Sequence, residues 1–316
     1  SFLIPYSAID IRRDIAAGGA GKVSLGTWKG TSVAVKRLYT SMMDMNDEQN
    51  KAGRMAFINE LALHKSLRHP NVVQLMGVCS NPLCIVLEFM ERGSLFGCLQ
   101  ERETIDMPWT LRRRCTLDVA RAMAFLHEEG ILHRDLKSLN VLVNGDWRCK
   151  VADFDQSRTN DGTLTVMVGT LLWSAPEVLE GKGEYGREAD VYSFGIVMFE
   201  CWTREAPYHG MRSTRRFELS QHVLEGGRPV CPVAIGEPPE LYCALMRRCW
   251  HQDATQRPTF QEVVHALEYE QEAAEREEPP RRGTALSTWL SIFRSADRRA
   301  SRRHKDGLDT PLLPLN

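Results

Sequence analysis

The chain has 316 residues, with 40 Lys and Arg against 41 Asp and Glu for a formal net charge of −1. That balance provides no field to steer it onto nucleic acid. The composition is that of globular material long enough to bury two cores. The longest apolar run, Phe194 to Cys201, is too short to span a bilayer. No basic region precedes the opening Ser1-Phe2-Leu3-Ile4 as a secretory leader would require, and the absence of an initial methionine suggests a piece of something longer. Nine cysteines show no C-x-x-C pairing, and Cys79, Cys84 and Cys149 fall in apolar, strand-like stretches. They read as reduced, buried thiols of a cytoplasmic protein.

In chain order, a lead-in over residues 1–10 precedes two predicted strands, Ile11 to Ile15 and Val23 to Trp28, around the glycine-rich stretch Ile15-Ala16-Ala17-Gly18-Gly19-Ala20-Gly21-Lys22-Val23. Gly21-Lys22 invites comparison with the phosphate-loop pattern G-x-x-x-x-G-K-[ST]. Ala16 at its leading position, Val23 where a metal-binding hydroxyl belongs, and strands on both flanks exclude that reading. A further strand carries Val33-Ala34-Val35-Lys36. Met-rich Tyr39 to Gly53 reads as a mobile loop, and Met55 to Ser66 as a helix with Glu60 and His64 one turn apart. Strand material ends near Val86, Leu87-Glu88-Phe89-Met90 opens a connection, and helices begin near Ser94. Trp109 to His127 has helix spacing, with Leu117, Ala120, Ala124 and Phe125 inward. Downstream lie His133-Arg134-Asp135-Leu136-Lys137-Ser138-Leu139-Asn140, Asp153-Phe154-Asp155, Gly169-Thr170, Ala175-Pro176-Glu177, Asp190-Val191-Tyr192-Ser193-Phe194-Gly195, Cys249-Trp250 and Arg257-Pro258-Thr259-Phe260.

In this order the strings resemble the protein kinases, with matches from about Ile11 to Ala266. The resemblance implies an α+β, bilobal fold. A small β-rich lobe with one helix would span 11–86, a hinge 87–91 and a larger helical lobe 92–270. It implies that Asp135 takes the proton from the acceptor hydroxyl and that Lys137 offsets charge on the transferred phosphoryl group. Asn140 and Asp153 would hold Mg²⁺, with Mn²⁺ as an alternative. Lys36 would contact the α- and β-phosphates and be positioned by Glu60. ATP would lie among Ile15, Gly18, Gly21, Val23, Ala34 and Leu142, its adenine received by the backbone at Glu88 and Met90 behind a Leu87 gatekeeper. Asp190 would anchor the catalytic loop, and Arg257 would pair with Glu177. Ile4-Pro5-Tyr6-Ser7, Lys137-Ser138, D-V-Y-S-F-G and C-W…R-P-T-F resemble the tyrosine-kinase-like group. That implies transfer to serine and threonine of protein substrates in intracellular signalling, with dual specificity open.

Four positions depart from the family pattern: Ala16 for the first loop glycine, Ala20 at the loop tip, His64 for an apolar residue, and Asp155 for the glycine of D-F-G. His64 could make a column completed by His133 and Phe154 sensitive to pH, or it could be a packed neutral histidine. Asp155 leaves a second functional class open, a pseudokinase serving as a nucleotide-binding or scaffolding module. Because aspartate tolerates left-handed angles, the expectation is an active enzyme with a stiffer triplet and altered metal dependence. Arg134 is expected to pair with a phosphorylated Thr159, Thr163 or Thr165. Residues 271–316 form an acidic, then basic, partly disordered tail. Within 284–305, Leu286, Trp289, Leu290 and Phe293 share a helix face ahead of Arg294, Arg298, Arg299, Arg302 and Arg303. Such a segment could dock on an anionic membrane or a partner protein, or pack on its own domain.

Overall fold

The computed structural model describes residues 2–18, 21–38, 61, 64–65, 67–153, 158–159, 171–181, 185–211, 216–236 and 238–275. Glu60, Phe154, Asp155, Thr163, Thr165, Thr170, the loop-tip Ala20, the Met-rich stretch and the segment 284–305 lie outside the described residues.

Strands Ile9–Gly18 (β1), Gly21–Trp28 (β2), Thr31–Leu38 (β3), Leu75–Ser80 (β4) and Leu83–Glu88 (β5) form one antiparallel sheet in the order β1-β2-β3-β5-β4. Strand alternation sorts the faces. Val33 and Val35 point into a core with Ile4, Ile9, Cys79, Cys84 and Val86, while Ala34 and Lys36 take the opposite face. The glycine-rich stretch is a strand-to-strand hairpin, with Gly18 opposite Gly21 and Ala16 opposite Val23. Lys22 forms an ion pair with Asp14 across it at 2.6 Å. That is the arrangement that excludes a strand-to-helix phosphate loop.

Two expected boundaries shift. The sheet runs two residues past Val86, because Glu88 pairs with Val33 and donates its N–H to the Gln74 carbonyl at 3.0 Å. Leu87 and Glu88, expected in the hinge, therefore close β5. The lead-in also belongs to the sheet. Leu3 bridges Val78 in parallel, with Ile4 N–H donating to Val78 O and Val78 N–H to Phe2 O, each at 2.8 Å. Ile4 fills the space that a side chain at position 77 would need, so only glycine fits there. Gly77→Ala would push residues 2–4 off the sheet edge. The expected loss is about 1–3 kcal/mol of stability, seen as a lower thermal midpoint.

The second lobe is helical: Leu95–Gln100 (α1), Trp109–Glu128 (α2), Pro176–Glu180 (α3), Arg187–Thr203 (α4), Arg216–Leu224 (α5), Glu240–Cys249 (α6) and Phe260–Glu275 (α7). Two short pairs accompany it, Ile131–Leu132 (β6) with Arg158–Thr159 (β9) and Val141–Val143 (β7) with Cys149–Val151 (β8). Ser94 starts α1 by accepting the Gly97 N–H at 3.1 Å, an N-cap. Helix α4 is buried without a break from Ala189 to Cys201, as a helix at the centre of a core must be. On α2, Leu117 and Ala120 reach the core. Ala124 and Phe125 stay half-buried at its rim, where Phe125 stacks on His69 at 5.0 Å. Helix α7 continues to Glu275, past the expected end at 270, and Glu270 is buried beside Arg113 at 3.6 Å. All nine cysteines are free thiols, and all but Cys231 are buried. Among the described residues, no helix is long and apolar enough to cross a membrane.

Candidate active site

The loop after β6 is held from below by one fully buried carboxylate on α4. Asp190 accepts His133 N–H and Arg134 N–H, each at 2.9 Å, and His127 Nε2 and the Tyr185 hydroxyl, each at 2.8 Å. Burial works to raise its pKa, but the hydrogen bond and charge of His127 and the bonds from the loop outweigh it, so the net shift is downward. Arg134 sits at φ +66, a strained position for a non-glycine residue, and its amide is one of the two pinned there. Its guanidinium lies over the Tyr185 ring at 5.8 Å.

With the loop fixed, three expected site residues converge. Lys137 Nζ lies 2.6 Å from Asp135 Oδ2. Asn140 Nδ2 donates to the same oxygen and to the Asp135 carbonyl, both at 2.9 Å. The His133 ring bonds the Ala152 carbonyl at 3.1 Å, tying the loop to the residue before Asp153. Asp153 has φ +66, a left-handed backbone angle for a non-glycine residue. Lys36, from the sheet lobe, reaches Asp153 Oδ1 at 3.7 Å.

The cleft wall is apolar. Met90, Val73 and Ala152 form a buried cluster against which Leu87 and Leu142 pack. Ala34 stands opposite Leu87 in register and Val23 opposite Lys36, while Ile15 is on β1 with Gly18. Val73 and Ala152 escaped the sequence reading because small apolar residues at these positions look like ordinary core, even though Ala152 directly precedes Asp153. Glu88 was read there as a backbone contact only. Its carboxylate also receives Lys150 Nζ at 2.7 Å on both oxygens and the Gln74 N–H at 2.6 Å, linking the sheet lobe to β8.

Two further carboxylates brace the far side. Glu177 at the start of α3 meets Arg257 in a two-pronged bond of 2.6 and 2.9 Å. The arginine side chain is wholly buried, and its guanidinium lies 5.1 Å from the centre of the Tyr192 ring. Glu177→Ala would leave that charge without its anion. A loss of about 3 kcal/mol is expected, read as a lower urea midpoint at unchanged m. Glu200 on α4 is the other; burial raises its pKa to about 8 against the opposing bonds from Trp173 and Ser138.

A β-sheet lobe, a helical lobe and a loop that sets Asp135, Lys137 and Asn140 near Asp153 define a protein-kinase domain. The chain belongs to the family of protein tyrosine and serine/threonine kinases, whose pattern it matches over residues 9–267. Kinases of this family use ATP and a divalent metal ion. Three relatives from Dictyostelium discoideum, named probable serine/threonine-protein kinases, each align over 84% of this chain: drkD is 42% identical, drkB 41% and drkA 40%. The chain spans 20%, 37% and 40% of their respective lengths.

Proposed function

We propose that this domain is an active member of the tyrosine-kinase-like group that transfers the γ-phosphoryl group of ATP to serine or threonine hydroxyls of protein substrates in cytoplasmic signalling. The observation that carries the reading is the hold on Asp135 by Lys137 and Asn140, at 2.6 and 2.9 Å. A base must be presented in one orientation to the acceptor hydroxyl, and these two donors supply it. Asp135 accepts the hydroxyl proton as attack proceeds. Lys137, two residues on, brings its ammonium to the transferred group, a position that tyrosine kinases usually leave without lysine. Lys36 pairs with the α- and β-phosphates, and the Met90, Leu142 and Ala152 cluster encloses adenine and excludes water.

Asp153 and Asn140 would hold Mg²⁺, or Mn²⁺, and the donor set fits. A carboxylate and an amide carbonyl are hard oxygen donors, and the Asn140 nitrogen is already committed to Asp135. Among the described residues, no group of three or more His, Cys, Asp or Glu could hold an ion. Magnesium suits such a place, since it leans on one or two protein ligands together with substrate phosphates. When bound, the ion neutralises phosphate charge. Asp155 adds a carboxylate two residues from Asp153, from which we expect a stiffer triplet and an altered metal requirement. The alternative, a pseudokinase serving as a nucleotide-binding or scaffolding module, rests only on the departures at Ala16, Ala20, His64 and Asp155. The test is a set of acceptor peptides identical except for Ser, Thr or Tyr at one position, incubated with labelled ATP and Mg²⁺. Label on the Ser and Thr peptides is expected, and label on the Tyr peptide alone would overturn the assignment.

A further inference from the structure

Glu91 and Arg92, which follow Met90, both close on one glycine of the large lobe. Glu91 Oε2 accepts the Gly145 N–H at 2.7 Å, and Arg92 Nε and Nη2 donate to the Gly145 carbonyl at 3.2 and 3.0 Å. The Arg92 guanidinium also lies over the Trp147 ring, 3.9 Å from its centre. Backbone bonds run alongside, from Arg92 N–H to Val143 O at 3.0 Å and from Val143 N–H to Gly93 O at 2.8 Å. Gly145 and Trp147 belong to the turn between β7 and β8, and that turn is itself braced. Asn144 Oδ1 accepts the Asp146 and Arg148 N–H groups at 3.1 and 2.8 Å, and Arg114 of α2 donates to the Asp146 and Trp147 carbonyls at 3.3 and 3.2 Å. On the other side of Met90, Glu88 is paired into the sheet. Only Phe89 and Met90 are left between the two holds. Gly93 N–H donates to Met90 O at 3.1 Å, so Met90 to Gly93 form one turn whose two middle side chains are gripped. Both of those side chains are exposed, where such contacts stabilise a fold only weakly, so stability gives little reason for gathering them on one turn.

We propose that Arg92, with Glu91 beside it, is a positioning residue for the nucleotide base. By tying the turn to the braced β7–β8 connection it fixes the direction in which the Met90 backbone meets the cleft. Met90 stands at the junction of the lobes, in the wall it builds with Leu87 of the sheet and Leu142 of β7. The inference rests on the kinase reading above, in which the Met90 backbone receives adenine. Arg92→Lys keeps the charge but loses the planar fork that both reaches Gly145 and lies over Trp147. Trp147→Phe keeps an aromatic face for the guanidinium.

Calorimetric titration of the full chain with ADP and Mg²⁺ tests this. Arg92→Met and Arg92→Lys are each expected to weaken ADP about fivefold, the scale of one exposed stack and hydrogen bond together, while Trp147→Phe stays close to wild type. The peptide KM of Arg92→Met is expected to match wild type, since the loop bearing Asp135 is untouched. Unchanged ADP affinity in Arg92→Met, or a peptide KM that rises together with the ATP KM, would overturn the proposal. A second arm needs no nucleotide: hydrogen exchange of the Gly93 amide, which closes the turn on Met90, is expected to quicken in Arg92→Met. An unchanged rate would remove the grip itself. Failure of the wild type to bind ADP would sink the kinase reading and the base-positioning role with it, while exchange at Gly93 would still show whether the grip exists.

Discussion

Asp190→Asn is expected to cost about 3–5 kcal/mol of stability and to abolish the ordered catalytic loop, because one fully buried carboxylate there satisfies four donors at 2.8–2.9 Å. Asparagine keeps one oxygen and turns an NH₂ toward two of those donors. The left-handed Arg134 backbone then loses the bond that holds it. For a domain whose whole stability is of the order of 5–15 kcal/mol, this is a large share, and the thermal midpoint should fall by ~10 °C. The pH dependence has a definite sign. The folded pKa of Asp190 is depressed, so its contribution is present above the ordinary carboxylate value near ~3.9 and is lost as pH falls through the lower folded value. The gap between wild type and variant should therefore close in acid. Calorimetry from neutral pH down to ~3 checks this, and a gap that stayed constant would mean the carboxylate charge does not matter.

Asp135→Asn is expected to lower kcat roughly a thousandfold, within the range general-base catalysis supplies, while leaving the thermal midpoint within ~1 °C. Its neighbours Lys137 and Asn140 are polar and the side chain is half-buried, so an isosteric amide can be housed without a core penalty. The ATP KM should hold, because the proposed nucleotide contacts at Lys36, Met90 and Leu142 are untouched. The two variants thus separate the two jobs proposed for the loop: Asp190 would hold it in place, and Asp135 would act as the base.

Much of this site could be read in the sequence, for a physical reason. Asp135, Lys137 and Asn140 lie within six residues because, on the proposed function, a single loop presents base, cation and metal ligand together, so short-range spacing carries the chemistry. The Asp190 anchor and the Arg257 to Glu177 bond followed from strings whose order a kinase fold requires. What stayed hidden was pairing over long separations. Glu88 with Lys150, and Glu200 with both Ser138 and Trp173, join residues that no local pattern relates. Glu200 was concealed twice, because it lies inside Phe194 to Cys201, the stretch that hydropathy reads as apolar. The edges of the sheet were hidden for the same reason. Residues 2–4 join β4 through a bridge to Val78, and Gly77 reveals its purpose only once Ile4 lies against it.

The central claim is that this chain, with aspartate where the family triplet has glycine, still moves phosphate through Asp135. Wild type and Asp135→Asn, at equal concentration with γ-labelled ATP, Mg²⁺ and a serine- or threonine-bearing protein acceptor, decide it. Label is expected on the acceptor with the wild type and to fall at least about a hundredfold with the variant. Equal incorporation by the two, including none by either, would contradict the account.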